Sequence, residues 1–145
     1  MSIQSLTASS SAALLTCAPG DLLTTAVSRL VSAAANAIAV TGSSGQLVGI
    51  LTDHDIVRAI NARQGALGKG LVEDWMTRPV ITVTPETRLA TALALMGQHR
   101  IRHVVAVDGS GQPIAIVSIR DLLAKLHEFD EIEINVLRDV AVARR

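Results

Sequence analysis

Aromatic residues are almost absent from this sequence of 145 residues, which contains Trp75, Phe129 and no tyrosine. Few aromatic side chains are therefore available for RNA recognition by base stacking. Thirteen basic and thirteen acidic residues cancel, and no long run of one sign occurs. Since a nucleic-acid-binding protein normally carries a basic patch, we expect no nucleic-acid partner.

Cysteine is equally scarce, since Cys17 is the only one. A single cysteine excludes an intrachain disulfide and a multi-cysteine zinc site. A reducing, cytoplasmic setting is the simplest interpretation. The stretch from Leu30 to Thr52 carries no charge, but Asn36 and the turn sequence Gly42–Gly45 interrupt it. We therefore expect no membrane span.

No group of residues has the spacing of a catalytic or metal site. Cys17 falls on a predicted buried strand, where a thiol is normally inert. His99 and His103 are four residues apart, but a predicted helix end lies between them, so they do not share one helical face. We expect neither an enzyme, nor a metal site, nor an obligatory cofactor.

The most informative stretch is Val48–Val57, where a buried strand pattern runs into Thr-x-x-Asp and then into a helical pattern. Such a junction presents unpaired backbone N–H groups at the positive end of the helix dipole, which favours an anion. The same pattern recurs 66 residues later at Ile114–Leu123.

The repeat extends well beyond these junctions. Sliding the sequence by 66 residues gives identity at ten of 42 positions between Thr16–Val57 and Thr82–Leu123, without a gap. Most other pairs keep apolar opposite apolar, which indicates an internal duplication. Each unit has the order strand, helix, strand, strand, helix. We predict an α+β fold of two units packed about a pseudo-twofold axis.

The composition and the limits of the repeat divide the chain into five parts. The predicted parts are a flexible lead-in at 1–12, a first unit at 13–64, a linker at 65–79, a second unit at 80–127 and a helical extension at 128–145. The extension continues an apolar helical spacing without a counterpart after the first unit. Packing across a subunit interface is the preferred interpretation, and packing back on its own domain is the alternative.

Two β-α-β-β-α units in tandem, each ending in strand, Thr/Ser-x-x-Asp and helix, resemble a pair of CBS domains, also called a Bateman module. The resemblance covers residues 14–127, with Val72–Thr77 similar to the element leading into a second unit. It implies a regulatory module that binds AMP, ADP or ATP, with S-adenosylmethionine or NAD as alternatives, in two clefts between the units. It also implies a homodimer that acts through an effector protein.

The resemblance assigns polar roles by position. Asp55 and Asp121 would accept hydrogen bonds from ribose hydroxyls, which suits an acceptor-only carboxylate. Thr52 and Ser118 would donate to phosphate.

Six more positions complete the expected site. They are His54 and Arg120 beside the phosphates, Ala37 and Ile38 against one adenine, and His103 and Val104 against the other. Because Arg120 and Arg102 are expected near the second cleft, we expect that cleft to favour a phosphate-bearing ligand.

An alternative remains open for both junctions. Thr-x-x-Asp and Ser-x-x-Asp also fit a capping box, in which the hydroxyl and the acid satisfy N–H groups of the helix itself. If both junctions serve only as caps, the chain is a ligand-free interaction or dimerisation module.

Overall fold

The structure is a computed structural model that describes residues 1–8 and 14–143. Within these ranges the helices and strands alternate as two similar sets. Their order is α1 (Ile3–Thr7), β1 (Thr16–Cys17), α2 (Leu23–Ser32), β2 (Ala37–Thr41), β3 (Leu47–Thr52), α3 (Asp53–Ala62), α4 (Val72–Trp75), β4 (Thr82–Val83), α5 (Leu89–His99), β5 (His103–Val107), β6 (Pro113–Ser118) and α6 (Ile119–Ala143).

The two three-stranded sheets, β1-β2-β3 and β4-β5-β6, have the same topology. In each, the first strand is parallel to the second, and the second is antiparallel to the third. Thr16 pairs with Ala39, and Thr82 pairs with Val105, so the registers differ by the repeat offset of 66 residues. The predicted α+β architecture of two β-α-β-β-α units is confirmed.

Each unit has its own hydrophobic core, and a smaller apolar seam joins the two sheets. Ile38 and Val104 are fully buried in the cores of the first and second units. Ala37 and Val105 belong instead to the seam. Neighbouring residues on a strand point to opposite faces, so each central strand serves a core with one face and the seam with the other.

The N-terminal segment differs from the flexible lead-in that the sequence predicts for residues 1–12. Residues Ile3–Thr7 form helix α1, and the side chain of Ile3 is fully buried in the second core. Ile3 N donates to Thr87 O at 2.8 Å, much as Val72 N donates to Asp21 O at 2.9 Å. Helix α1 is therefore the structural counterpart of α4, and the expectation needs correction for residues 3–7. Residues 9–12 lie outside the described ranges.

Helix α6 runs unbroken from Ile119 to Ala143, so the predicted C-terminal helical extension is present. Its first turns belong to the second unit, where Leu122 is fully buried and Leu126 packs against the core. All residues from 127 to 142 are exposed. The last four turns of the helix thus stand clear of the fold.

Candidate functional site

The first Thr-x-x-Asp junction, between β3 and α3, forms a complete capping box. Thr52 Oγ1 accepts a hydrogen bond from Asp55 N at 3.4 Å, and Asp55 Oδ2 accepts one from Thr52 N at 2.9 Å. The extended backbone of Thr52 ends the strand, and the two reciprocal bonds begin the helix. Both side chains therefore have a local structural role.

The backbone donors of this first helical turn already have partners. Asp53 N donates to Asn36 O at 3.0 Å, and His54 N donates to Asp53 Oδ1 at 2.8 Å. Asp55 N is held by Thr52 Oγ1. The sequence predicts free N–H groups for an anion at this helix start, and the structure corrects that prediction. An anion here must be bound by side chains.

Asp55 is the one buried charged residue in the described chain, with 3% of its surface exposed. Its second oxygen, Oδ1, accepts hydrogen bonds from Thr77 Oγ1 at 3.0 Å and from Arg58 Nη2 at 3.3 Å. Thr77 begins the segment that leads into the second unit. Asp55 therefore ties α3 to that segment, and a ribose hydroxyl could bind it only by replacing one of these donors.

A cleft of about 520 Å³ lies between the two units. Such a volume is within the range of small-molecule sites. One wall is the start of α3, and the opposite wall is the passage from α5 to β5. The polar lining residues are Thr52, Asp53, His54, Asp55, Thr77, Arg100, Arg102 and His103. We name this cavity the inter-unit cleft.

Charges of both signs face each other across the inter-unit cleft. Burial lowers the pKa of His103, as does the nearby Arg102 guanidinium to a smaller extent, whereas the carboxylates of Asp53 and Asp121 act in the opposite direction. The net direction is downward, so the imidazole is neutral near pH 7. Arg100 and Arg102 therefore supply the fixed positive charge of this wall.

The second junction, between β6 and α6, repeats the capping box in a more open setting. Ser118 N donates to Asp121 Oδ2 at 3.2 Å, and Asp121 N donates to Ser118 Oγ at 3.1 Å. Asp121 is exposed, unlike Asp55. Within the described residues, no donor contacts Asp121 Oδ1. This carboxylate has spare acceptor capacity.

A cavity of about 440 Å³ lies beside Asp121, between α1, β6 and the start of α6. In the first unit the corresponding place is filled, since a Cβ added to Gly49 would lie 2.5 Å from Met76 Sδ. Thr7 lines the cavity at the position that Met76 occupies after α4. The shorter side chain of Thr7 accounts for the cavity.

The sequence-predicted site residues fall into three groups. Thr52, His54 and Asp55 line the inter-unit cleft together with His103, which the sequence analysis sets against the other adenine. Asp121 lines the second cavity, with Ser118 bonded to it.

The remaining predicted residues lie elsewhere. Arg120 is exposed and lines neither cavity. Ile38 and Val104 are fully buried in the cores, and Ala37 is 5% exposed within the seam. None of the three lines either cavity, because strand alternation puts them behind or between the sheets, and their contact with adenine stays a prediction.

Arg102 also lies elsewhere than expected. The sequence groups it with Arg120 near the second junction, but Arg102 lines the cleft of Thr52 and Asp55. The second unit supplies the wall opposite the first unit's junction, which a repeat alignment alone does not reveal. Sequence reasoning missed Asp53 and Thr77 as lining residues and did not include Arg100 in the expected site. These residues could have been found from their positions in the sequence, because they lie next to the Thr-x-x-Asp junction or close to the strands of the second unit.

Two further features bear on the expected site chemistry. In the described part of the chain, no cluster of three or more His, Cys, Asp or Glu side chains could hold a metal ion. None of the helices in residues 1–8 and 14–143 combines the length and the hydropathy of a bilayer-crossing segment.

Fold and cleft together define a class of protein, built from two β-α-β-β-α units with a ligand-sized cleft between them. The family model of the CBS domain matches residues 10–62 and again residues 72–128. Because these two matches cover most of the sequence, the chain belongs to the CBS domain family, as the sequence resemblance indicates.

Among curated proteins, the chain is similar to the mitochondrial CBS domain-containing protein CBSX3 of Arabidopsis thaliana. The two are 35% identical over 122 residues, which cover 81% of this chain and 59% of that protein. Another relative, the uncharacterized protein MJ1404 of Methanocaldococcus jannaschii, is 34% identical over 101 residues, 70% of this chain and 24% of its own length. The chain thus spans between a quarter and three fifths of these relatives.

Solved structures share the fold. The CBS-domain protein ATU1752 of Agrobacterium tumefaciens has a TM-score of 0.78 and 27% identity over 85% of this chain and 91% of its own. The CBS domain pair of MJ0100, with 5′-methylthioadenosine and S-adenosylmethionine, has a TM-score of 0.77 and 24% identity over 88% and 99%. CBSX2 in complex with AMP has a TM-score of 0.70 and 23% identity over 81% and 90%.

Proposed function

We propose that this protein is a regulatory module that binds an adenine nucleotide, AMP, ADP or ATP, in the inter-unit cleft. The observation that supports this most directly is the lining, which sets Thr52 and His54 of one unit opposite Arg100 and Arg102 of the other. A ligand in the cleft touches both units at once. Its binding would therefore favour one relative arrangement of the units, which is what a regulatory ligand must do.

The arginine wall binds the phosphate end of the ligand. Guanidinium groups donate in a planar fork that matches phosphate oxygens, and Arg100 and Arg102 are both exposed at the cleft. Since the backbone donors at the start of α3 are already bonded, and the Thr52 hydroxyl donates to Asp55 Oδ2 at 3.1 Å, the two arginine side chains are the principal phosphate donors. S-adenosylmethionine, which has no phosphate, would gain less from this wall.

The adenine and ribose lie against the apolar part of the same cleft. Ile50, Val80, Ile81 and Ile101 line it beside Pro79. Apolar walls with few polar groups are typical of nucleoside sites. The half-buried imidazole of His103 also lines the cleft and can hydrogen-bond or stack.

The comparisons support the ligand class. Neighbours with the same fold hold AMP in one case, and 5′-methylthioadenosine with S-adenosylmethionine in another. We further propose that the chain is a cytoplasmic homodimer that signals through an effector protein and does no catalysis itself. The chain matches only part of each relative's length, so the relatives do not identify the effector.

A second candidate function, a ligand-free interaction module, is favoured by one observation. Both junctions form complete capping boxes without any ligand. A cap of this kind stabilises a helix by about 1 kcal/mol, which is a sufficient structural reason for its residues. The capping-only function leaves Arg100, Arg102 and the cleft without a role.

Thermal unfolding of nucleotide-stripped protein separates the two. With AMP, ADP, ATP, NAD and S-adenosylmethionine in turn, a ligand at 100 times its Kd should stabilise the fold by about 2.7 kcal/mol. We expect a clear rise in Tm with at least one adenine nucleotide. No shift with any of the five, and no heat in calorimetry, would leave the ligand-free module as the function.

A further inference from the structure

His103 is a titratable side chain in the lining of the inter-unit cleft, next to Arg102 in the sequence. It is half-buried, whereas Arg102 and His54, which line the same cleft, are exposed. Neither nitrogen of its ring has a hydrogen-bond partner in the part of the chain that the structure describes. The first unit has Ala37 at the corresponding position, so the imidazole is particular to this wall of the cleft.

Charged groups face His103 from three places in the fold. The carboxylate of Asp53 acts on it from the start of α3, that of Asp121 from the start of α6, and the Arg102 guanidinium from its own segment. Burial outweighs the two carboxylates and lowers the pKa of His103, so the ring is neutral near pH 7. The other ionisable side chains around the cleft are His54, Arg100, and Asp55 with its partner Arg58.

A bound phosphate brings more negative charge than these groups balance. The two guanidiniums of the lining offset its two carboxylates, and Arg58, bonded to Asp55, adds one positive charge beside it. A phosphomonoester carries about −1.5 to −2 charges near pH 7. Because His103 is half-buried, that charge is screened less at its ring than at an open surface. Protonation of the ring would restore the balance.

We infer that His103 is a specificity-determining residue of the inter-unit cleft, which takes up a proton from water when a phosphate-bearing nucleotide binds. The ring then becomes a third positive group on the wall of Arg100 and Arg102. The phosphate stabilises the imidazolium and the imidazolium stabilises the bound phosphate, which is the reciprocity of linked binding.

The consequence is a preference that depends on pH. Adenosine has no phosphate and gains nothing from the proton, so the cleft separates nucleotide from nucleoside more strongly as the pH falls toward neutrality. This inference rests on the proposed function, since it needs AMP in the cleft.

Calorimetric titration of AMP into nucleotide-stripped protein tests the proton uptake. Between about pH 7 and about pH 8 the phosphate is largely a dianion, since its second pKa is about 6, so its own titration contributes little. Measured in two buffers of different ionisation enthalpy, the wild type should take up part of a proton per AMP, and His103→Gln clearly less. The Kd of the wild type for AMP should be at least about twofold lower at pH 7 than at pH 8.

The matched control is His99→Gln, because His99 is exposed at the end of α5 and lines neither cavity. It should keep the wild-type proton uptake, and adenosine should bind to all three proteins without any uptake. Equal uptake by the wild type and His103→Gln would overturn the inference and leave the proposed function standing. No binding of AMP to the wild type would overturn both.

NMR of the wild type gives a second readout, which does not depend on the folding of the His103 variant. The four histidine rings belong to His54, His99, His103 and His127. Substitution of the other three by glutamine assigns the resonance of His103 by elimination. Its titration midpoint should move to higher pH with saturating AMP and stay in place with adenosine. An unchanged or lower midpoint with AMP bound would refute the proton uptake.

Discussion

At the scale of single residues, the two repeated carboxylates have diverged. Asp55 is buried and accepts hydrogen bonds from Thr52, Thr77 and Arg58, which join three parts of the chain. Asp121 is exposed and bonds only to Ser118 within the described residues. A buried acceptor with several donors is harder to replace, since each donor is left without a partner.

This divergence predicts different costs for the same substitution. Asp121→Ala should lower the free energy of unfolding by about 1 kcal/mol through loss of a helix cap. Asp55→Ala should lower it by at least about 1 kcal/mol more, because Thr77 also loses its acceptor. Urea denaturation of both variants measures the difference. Equal losses would mean that the contacts of Asp55 with Thr77 and Arg58 contribute no stability.

His103 gives the cleft a pH dependence. Its pKa in the folded chain is lowered from the ordinary value of 6.5, chiefly by burial. The unfolded chain therefore takes up this proton at higher pH than the folded chain, and stability must fall as the pH drops through 6.5 toward the folded pKa. We expect His103→Gln to reduce the loss of Tm between about pH 7.5 and about pH 5.

The matched control for this titration is Gln98→Ala, which changes an exposed and uncharged side chain on α5. It should leave the slope of Tm against pH as it is in the wild type. If His103→Gln and the wild type lose Tm in parallel, the burial of His103 has no part in the acid sensitivity.

At the scale of elements, helix α1 is an element that the sequence patterns did not predict. The strands and long helices were predictable because the repeat aligns them at a constant offset of 66 residues. The counterparts Ile3 and Val72 are instead 69 residues apart, and a helix of five residues has too few positions for a periodic pattern. The segment therefore looked unstructured, although its two large apolar residues, Ile3 and Leu6, pack in the second core.

The same helix yields a prediction about stability. Ile3 is fully buried, and removing most of its side chain should cost about 2–5 kcal/mol, as for other core isoleucines. Ile3→Ala should therefore lower the midpoint of urea unfolding strongly, while Gln4→Ala on the exposed side should have little effect. If Ile3→Ala lowers the free energy of unfolding by less than about 0.5 kcal/mol, the expectation of a flexible lead-in is correct after all.

The strands show a second limit of sequence reasoning. His103 lines a cleft, whereas its neighbour Val104, which was given the same role, is fully buried, as is Ile38 beside Ala37. Adjacent strand residues face opposite ways, so only one of each pair can reach a ligand. Which one does so depends on how the two sheets stack, and that arrangement is tertiary.

At the scale of the whole molecule, the cleft is a joint product of the two units. Thr52 and Asp55 come from the first unit, and Arg100 and Arg102 come from the second. The sequence identified the duplication and the family, but it paired Arg102 with the wrong junction because the repeat alone does not say which wall faces which. The arginines line the cleft of the first junction, which is why we propose the phosphate site there and not at the second junction.

The most direct test of this account is calorimetric titration of AMP and adenosine into wild type, Arg102→Ala and Arg120→Ala. Arg102 lines the inter-unit cleft, whereas Arg120 is exposed outside both cavities and serves as the matched control. We expect Arg102→Ala to weaken AMP binding about tenfold, as for loss of a charge-assisted hydrogen bond of roughly 1.5 kcal/mol. Adenosine affinity should not change, and Arg120→Ala should bind both ligands like the wild type. No binding of AMP to stripped wild-type protein, or an equal loss in the two arginine variants, would contradict a phosphate-reading inter-unit cleft.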